Sequence, residues 1–219
     1  IKIIDFIGAS GSGKTTLVRL IARFFDVTRG EIRIGDVNVK DISESTLTSS
    51  ISQIFQDSYL FQGTIKEDIL IGKFNATDDE IEQVLAQAGL QETIEQLPEG
   101  LETYVGEGGA MLSGGERQRV SIARALIKDA PILLVDEATA ALDAENQAII
   151  TDTLARLKGT KTIVVIAHQL STIEMADQII VLDKGYIVER GTHSQLMQQD
   201  GQYSFFVQQR ARAKGWVIV

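Results

Sequence analysis

The sequence predicts an α/β fold in which a mainly parallel central sheet is flanked by helices and an α-helical subdomain is inserted. Three observations carry this. Short all-apolar runs ("PILLV", "TIVVIA", "QIIVL") alternate with stretches of helical periodicity, the pattern of strands buried on both faces. Residues 8–15, GASGSGKT, fit G-x-x-x-x-G-K-[ST] between a predicted strand and a predicted helix. From about residue 58 to 128 the period is helical and no strong strand intervenes. The expected division is a core of residues 1–57 and 129–219 around a helical subdomain of 58–128.

In chain order, residues 1–7 are rich in Ile and predict a buried strand. After the glycine-rich loop, Leu17, Leu20, Ile21 and Phe24 recur at helical spacing and predict a helix with one apolar face. "EIRIGDVNVK" (31–40) predicts two short strands around Gly35-Asp36, and "SISQIF" (50–55) another strand. Helices are expected over 64–71, 78–89 and 91–96. "PILLVDE" (131–137) and "KTIVVIAH" (161–168) are buried strands, the first ending in two carboxylates. "QIIVLD" and "YIVERG" (178–191) form a hairpin through Lys184-Gly185, and helices fill 144–157 and 193–212.

Composition excludes some functions. The 219 residues carry a net charge of −9 and a pI near 4.8, which opposes a nucleic-acid partner, since phosphate neutralisation needs clustered Lys and Arg. With no cysteine, disulfides and Cys-based zinc sites are ruled out. No apolar run approaches the roughly 20 residues of a membrane-spanning helix, and the first residues lack the basic and apolar regions of a signal peptide.

The glycine-rich loop offers backbone N–H groups to phosphate oxygens, and the dipole of the following helix adds positive potential. Gly8, Ser10, Gly11, Ser12, Gly13, Lys14, Thr15 and Thr16 are the candidate phosphate-binding residues. Lys14 has the reach for the β- and γ-phosphates, and the Thr15 hydroxyl is a Mg²⁺ ligand. The bland alternative is a glycine-rich turn before an ordinary helix, which the strand–loop–helix order disfavours. In "ILLVDE", Asp136 ends a strand where it can hold Mg²⁺ through water. Glu137 follows at the carboxyl edge of the sheet, placed to orient or deprotonate an attacking water. By itself this pair could equally cap the next helix.

"LSGGERQR" (112–119) puts Ser113, Gly114 and Gly115 at a helix start, with Ser113 and Glu116 spaced as a capping box. A well-capped helix is the plain reading. Two consecutive glycines there also expose bare amides in front of a helix dipole, a second anion site. One nucleotide loop and two anion sites suggest that the second serves another subunit's nucleotide.

These residues resemble, in order along nearly the whole chain, the motifs of ABC-type ATPases, the nucleotide-binding domains of ABC transporters and members of the P-loop NTPases. GASGSGKT is similar to the Walker A motif, Gln56 in "IFQD" to the Q-loop glutamine, LSGGERQR to the signature and ILLVDE to Walker B. "AALD" (140–143) resembles the D-loop, with Ala140 where Ser is commoner, and His168 in "AHQLST" the switch histidine, with Gln169 in place of the usual Arg. The resemblance implies two such domains paired head to tail around two ATP. It implies that Lys14, Thr15, Gln56 and Asp136 handle phosphates and Mg²⁺, that Ser113 and Gly115 contact the partner's γ-phosphate beside Gly114, that Glu137 is the general base, and that His168 senses the γ-phosphate. A satisfied core histidine is the alternative for His168; His193, at a helix start in "GTHSQL", is structural on either view. Glu137, His168 and the complete LSGGE imply hydrolysis.

"FQDSYLFQGTIKEDI" and "TYVGEGG" (103–109) resemble exporter-type domains, in which this region contacts intracellular helices of a membrane domain. That implies a transmembrane domain fused upstream and a place on the cytoplasmic face of a bacterial membrane. "ARFFDV" and "AKGW" resemble a siderophore- and metal-linked subgroup, while lipid or drug cargo stays open. The alternative is a soluble ABC-type ATPase that uses ATP only to dimerise. Family members carry a small antiparallel β region before the Walker A strand, with an aromatic that stacks on adenine. Only seven residues precede Gly8 and Phe6 lies inside the strand, so that region is expected to be missing here, the chain being the C-terminal portion of a longer transporter. Base–aromatic stacking contributes about 1–3 kcal/mol.

Overall fold

The computed structural model describes residues 2–55, 58–136, 144–166 and 170–213. The chain begins with β1 (Ile3–Ile7), α1 (Lys14–Ile21), β2 (Arg33–Ile34), β3 (Val37–Asn38), α2 (Glu44–Ser50) and β4 (Ile51–Ile54). It continues through α3 (Ile65–Leu70), α4 (Asp78–Gln87), α5 (Gln91–Gln96) and α6 (Gly114–Ile127). Then come β5 (Ile132–Asp136), α7 (Ala144–Leu157), β6 (Thr162–Ile166), α8 (Leu170–Glu174), β7 (Gln178–Asp183), β8 (Tyr186–Gly191), α9 (His193–Gln198) and α10 (Gln202–Ala213).

Six strands make the main sheet in the order β4-β5-β6-β1-β7-β8. Every pairing is parallel except β7 with β8. Parallel strands need crossovers, so helices cover both faces and the parallel strands are mostly apolar, with Asp5 of β1 and Ser52 of β4 as buried polar exceptions. The period of two sorts them. Phe6, Leu134, Val164, Ile166 and Leu182 point to one side and pack with Val18 of α1 and Leu47 of α2. Ile3, Ile7, Leu133, Val135, Ile163, Val165, Ile179 and Val181 point to the other, in a cluster that runs on into Val120, Ile122 and Leu126 of α6 and Ile65 and Ile69 of α3. The expected mainly parallel α/β architecture is therefore present. β2 and β3 pair antiparallel as a separate two-stranded sheet through the Gly35-Asp36 turn.

Helix ends follow local chemistry. Thr64 and Glu67, Thr77 and Glu80, and Thr192 and Gln195 each form a reciprocal capping box. Two elements were not expected. In "SESTLTSS" the cap of α2 is Ser43, whose hydroxyl accepts from the Thr46 N–H, but one buried Leu47 gives no apolar period to read. The five-residue α8 is too short for a period. Two expectations need correction. The helix over 193–212 is broken into α9 and α10, because Asp200 takes a left-handed φ of 49° and Glu189 of β8 accepts from the Gln202 and Tyr203 amides to start α10. Phe24 lies beyond α1: Arg23 at φ 57° ends the helix, and the exposed Phe24 ring stacks on Phe55 at 6.4 Å. The expected Leu17 and Ile21 pack half-buried against the core, beside the fully buried Val18.

The register places the carboxyl ends of β1 and β5 on the same sheet edge, one strand apart. Asp5 pairs with Val165, which pairs with Val135, and Asp136 pairs with Ile166. This edge is where α/β folds hold ligands.

Candidate functional site

Gly8 leaves the end of β1 under the backbone of β7: a Cβ there would stand 2.2 Å from the Leu182 carbonyl oxygen. Gly11 and Gly13 take left-handed φ values of 77° and 104°, which glycine adopts at no steric cost. Gly13 is the N-cap of α1, and no side chain caps that end. The first amides of α1 thus lack a side-chain cap and have the helix dipole behind them, an arrangement that fits phosphate. Lys14 is buried with its ammonium folded over the loop, donating to the Gly8 and Ala9 carbonyls at 2.9 Å each and reaching Ser12 Oγ at 3.5 Å. An ammonium held in place there by backbone oxygens can make charge-assisted hydrogen bonds to phosphate oxygens. Ser12 is buried, whereas Ser10, Gly11 and Thr16 are exposed along the rim.

Thr15 Oγ1 donates to Asp136 Oδ1 at 3.4 Å, and Asp136 is 6% exposed. A hydroxyl and a carboxylate oxygen side by side are hard oxygen donors suited to Mg²⁺. Among the described residues no group of three or more His, Cys, Asp or Glu converges.

The start of α6 has the expected capping box. The Ser113 hydroxyl accepts from the Glu116 amide at 3.3 Å and the Glu116 carboxylate accepts from the Ser113 amide at 2.7 Å. The hydrogen bond to Ser113 holds the Glu116 carboxyl below its ordinary value. Ser113 and Gly114 are exposed and Gly115 half-buried, so this helix start opens on solvent. Ser113 bonds to its own helix rather than to residues 8–16.

Gln56, Glu137 and His168, three of the expected catalytic residues, lie outside the described residues, as do Gln169 and the AALD stretch. Flanking positions are described: Asp136 precedes Glu137, and Gln118 bonds to both Phe55 and Ser58. The buried Gln118 amide donates to the Phe55 carbonyl at 3.5 Å and its oxygen accepts from the Ser58 hydroxyl. Sequence reasoning missed Gln118, although it stands within LSGGERQR on the inward face of α6, where a polar residue is out of place unless bonded. His193 is structural as expected, its Nδ1 at 2.6 Å from the buried Tyr203 hydroxyl. Burial raises the Tyr203 phenol, and nearby Asp5 adds to the shift. Phe6 is buried in the core beneath Val18, so it offers no face to a base.

The two stretches with exporter character meet in space. Thr64 bridges Tyr104 antiparallel, the Val105 amide donates to the Gly63 carbonyl at 2.9 Å, and Gln62 Nε2 donates to the Tyr104 hydroxyl at 2.6 Å. Tyr59, Phe61, Tyr104 and Met111 are exposed around them. A groove of about 1110 Å³ lies nearby, lined by Phe24, Ile42, Leu47, Phe55, Ile71 and Arg124 among others.

The model of the ABC transporter family matches residues 2–140. A protein of Staphylococcus aureus strain bovine RF122/ET3-1, named for multidrug export as an ATP-binding/permease protein, is 47% identical over 202 residues, covering 92% of this chain and 35% of its own. A protein of the same description from strain NCTC 8325 is 46% identical over the same span and coverage. Among solved structures, that of a bacterial Atm1-family ABC exporter with ATP bound superposes with a TM-score of 0.92 at 40% identity, over 96% of this chain and 37% of the other. The chain thus spans about a third of the length of the relatives it matches.

Proposed function

The chain belongs to the ABC transporter family, and from that premise we propose that it is the ATP-hydrolysing domain of an exporter-type transporter, working head to tail with a second such domain. The observation that carries this reading is the convergence of the uncapped α1 start, the Lys14 ammonium and the Thr15–Asp136 pair on one sheet edge. ATP is the substrate. Gly8, Ser10, Gly11, Ser12, Gly13 and Thr16 line its phosphates, and Lys14 neutralises the charge that develops on them. Mg²⁺, when bound, supplies further neutralisation at the phosphate oxygens; Thr15, Asp136 and Gln56 are the residues that hold it. Glu137 accepts the proton of the attacking water, and His168 contacts the γ-phosphate.

Ser113, Gly114 and Gly115 serve the partner domain's ATP. Their exposure at an outward-facing helix start supports this, because amides aimed at solvent are ready for a phosphate carried by another subunit. The paired stretches around Thr64 and Tyr104, with the apolar residues beside them, receive intracellular helices of a transmembrane domain fused upstream, on the cytoplasmic face of a bacterial membrane. The names of the relatives, which join ATP binding to a permease, support that arrangement. Cargo specificity resides in the membrane segments.

The test is Glu137→Gln in the full-length protein. Turnover should fall by about 10²–10⁴, the worth of a positioned general base, while ATP-driven dimers accumulate on a sizing column. Undiminished turnover would remove Glu137 from its role. Six apolar segments of about 20 residues encoded upstream are expected for the transporter; without them the ATP-dependent dimerisation module takes its place.

A further inference from the structure

The β7–β8 hairpin approaches the phosphate loop at three points. The Gly185 amide donates to the Ser12 carbonyl at 3.0 Å. The Gly185 Cα lies 3.9 Å from where a Cβ on Gly13 would stand. The Leu182 carbonyl closes over Gly8, leaving no space for a side chain there. The hairpin is shaped for this contact. Lys184 and Gly185 take φ values of 49° and 84°, both left-handed, as a tight two-residue hairpin turn requires. Between Val181 and Leu182 the register with β8 shifts, and such a bulge re-aims the strand end. Val181 still pairs with Ile7 of β1, so Leu182 arrives directly beside Gly8.

We propose that the Lys184–Gly185 turn is a positioning element for phosphate binding, holding the Ser12 carbonyl so that the Gly13 amide faces the ligand. The reason lies in the peptide bond. Ser12 C=O and Gly13 N–H belong to one trans peptide and point in opposite directions. Anchoring the oxygen on Gly185 therefore turns the Gly13 N–H away from the hairpin, into the space ahead of α1. Gly13 has a flexible backbone and no side-chain cap, so the Gly185 bond is a direct restraint on that plane. A loop already set in its binding conformation does not spend affinity on ordering itself. The turn touches no reacting atom; it acts through Gly13.

This rests on the nucleotide reading, and the experiment separates the two. In the full-length protein, the Gly185 amide is replaced by an ester through incorporation of glycolate, which deletes the donor and keeps the turn. Gly185→Asn keeps the donor and tolerates left-handed φ, and open space surrounds its Cβ. Inorganic triphosphate is the probe, titrated at a temperature where all forms are folded. The ester should bind about three- to tenfold more weakly, the range of a single neutral hydrogen bond, with the rate at saturation unchanged. Gly185→Asn should match the parent. Equal affinity in ester and parent would overturn the proposal, as would an Asn variant as weak as the ester. No binding by the parent would remove the nucleotide reading as well. If the ester does not fold, exchange of the Gly185 amide decides: triphosphate should slow it, and unchanged exchange would overturn the role.

Discussion

Thr15 Oγ1 and Asp136 Oδ1 lie 3.4 Å apart although 121 residues separate them in sequence. The parallel sheet makes this contact: β1 and β5 flank β6 and end at the same edge. With Asp136 6% exposed, its charge is nearly out of solvent and keeps its strength. Asp136→Asn retains the shape and removes the charge. Mg²⁺ affinity, from the magnesium dependence of hydrolysis, should fall by about 10–100-fold, as for other residues that support a bound metal. Triphosphate affinity without magnesium should hold or rise slightly. Unaltered magnesium dependence would take Asp136 out of the metal site.

Gly8→Ala should damage the loop and the fold together. The added methyl would meet the Leu182 carbonyl oxygen at 2.2 Å and the Ser12 hydroxyl at 2.6 Å, and the first is backbone that cannot swing aside. Overpacking of this kind costs about 1–3 kcal/mol. Urea unfolding should report that loss, with triphosphate binding reduced in the same protein. Gly11→Ala has open space around its Cβ and meets only the strain of φ 77°, so its stability loss should be smaller.

The sheet was legible because its signal is strong: buried parallel strands are runs of Ile, Val and Leu, and "PILLV" has no other comfortable place. The loop and the α6 cap were legible because fixed spacings of Gly, Lys, Ser and Glu encode them locally. What sequence could not give was contact across distance. Gln118 bracing Phe55 and Ser58, Gly185 holding Ser12, and Thr64 pairing with Tyr104 join residues far apart in the chain, and no local period records them. The break between α9 and α10 was hidden likewise, since the group that starts α10 is Glu189, on a strand.

Ser113 combines two roles that substitutions can divide. Ser113→Ala removes the hydroxyl that accepts from the Glu116 amide, which should destabilise α6 by about 0.5–2 kcal/mol. Ser113→Asp preserves a capping acceptor and adds charge where a γ-phosphate is proposed to sit. Thermal unfolding should place Ser113→Asp near the parent and Ser113→Ala below it. ATP hydrolysis should be lower in Ser113→Asp than in Ser113→Ala. The reverse order of activities would mean that Ser113 matters only as a cap.

Asp68 and Arg124 predict a pH dependence of stability. Asp68 is buried; it accepts from the Phe61 amide at 2.7 Å and from Arg124 Nη1 at 2.8 Å. Burial raises its carboxyl above 3.8, against the pull of Arg124 and of that amide. A raised folded-state value means that the native chain holds the proton more tightly than the unfolded one. That stabilisation is complete below 3.8 and is lost as pH rises through the folded value. Arg124→Met removes the nearby charge opposing the rise, so the carboxyl should move higher still and its ionisation at neutral pH should cost more. Breaking a buried pair from one side costs about 3–5 kcal/mol. The deficit against the parent, from urea midpoints, should therefore be largest at neutral pH and shrink towards the ordinary carboxylate value. Adding Asp68→Leu should recover only part of it, because the Phe61 amide then loses its acceptor. Arg124 also donates to the Tyr59 carbonyl at 3.0 Å and lies 5.7 Å from the centre of the Phe61 ring, contacts that do not titrate. A deficit that stays constant with pH would assign the whole effect to them and none to the charge pair.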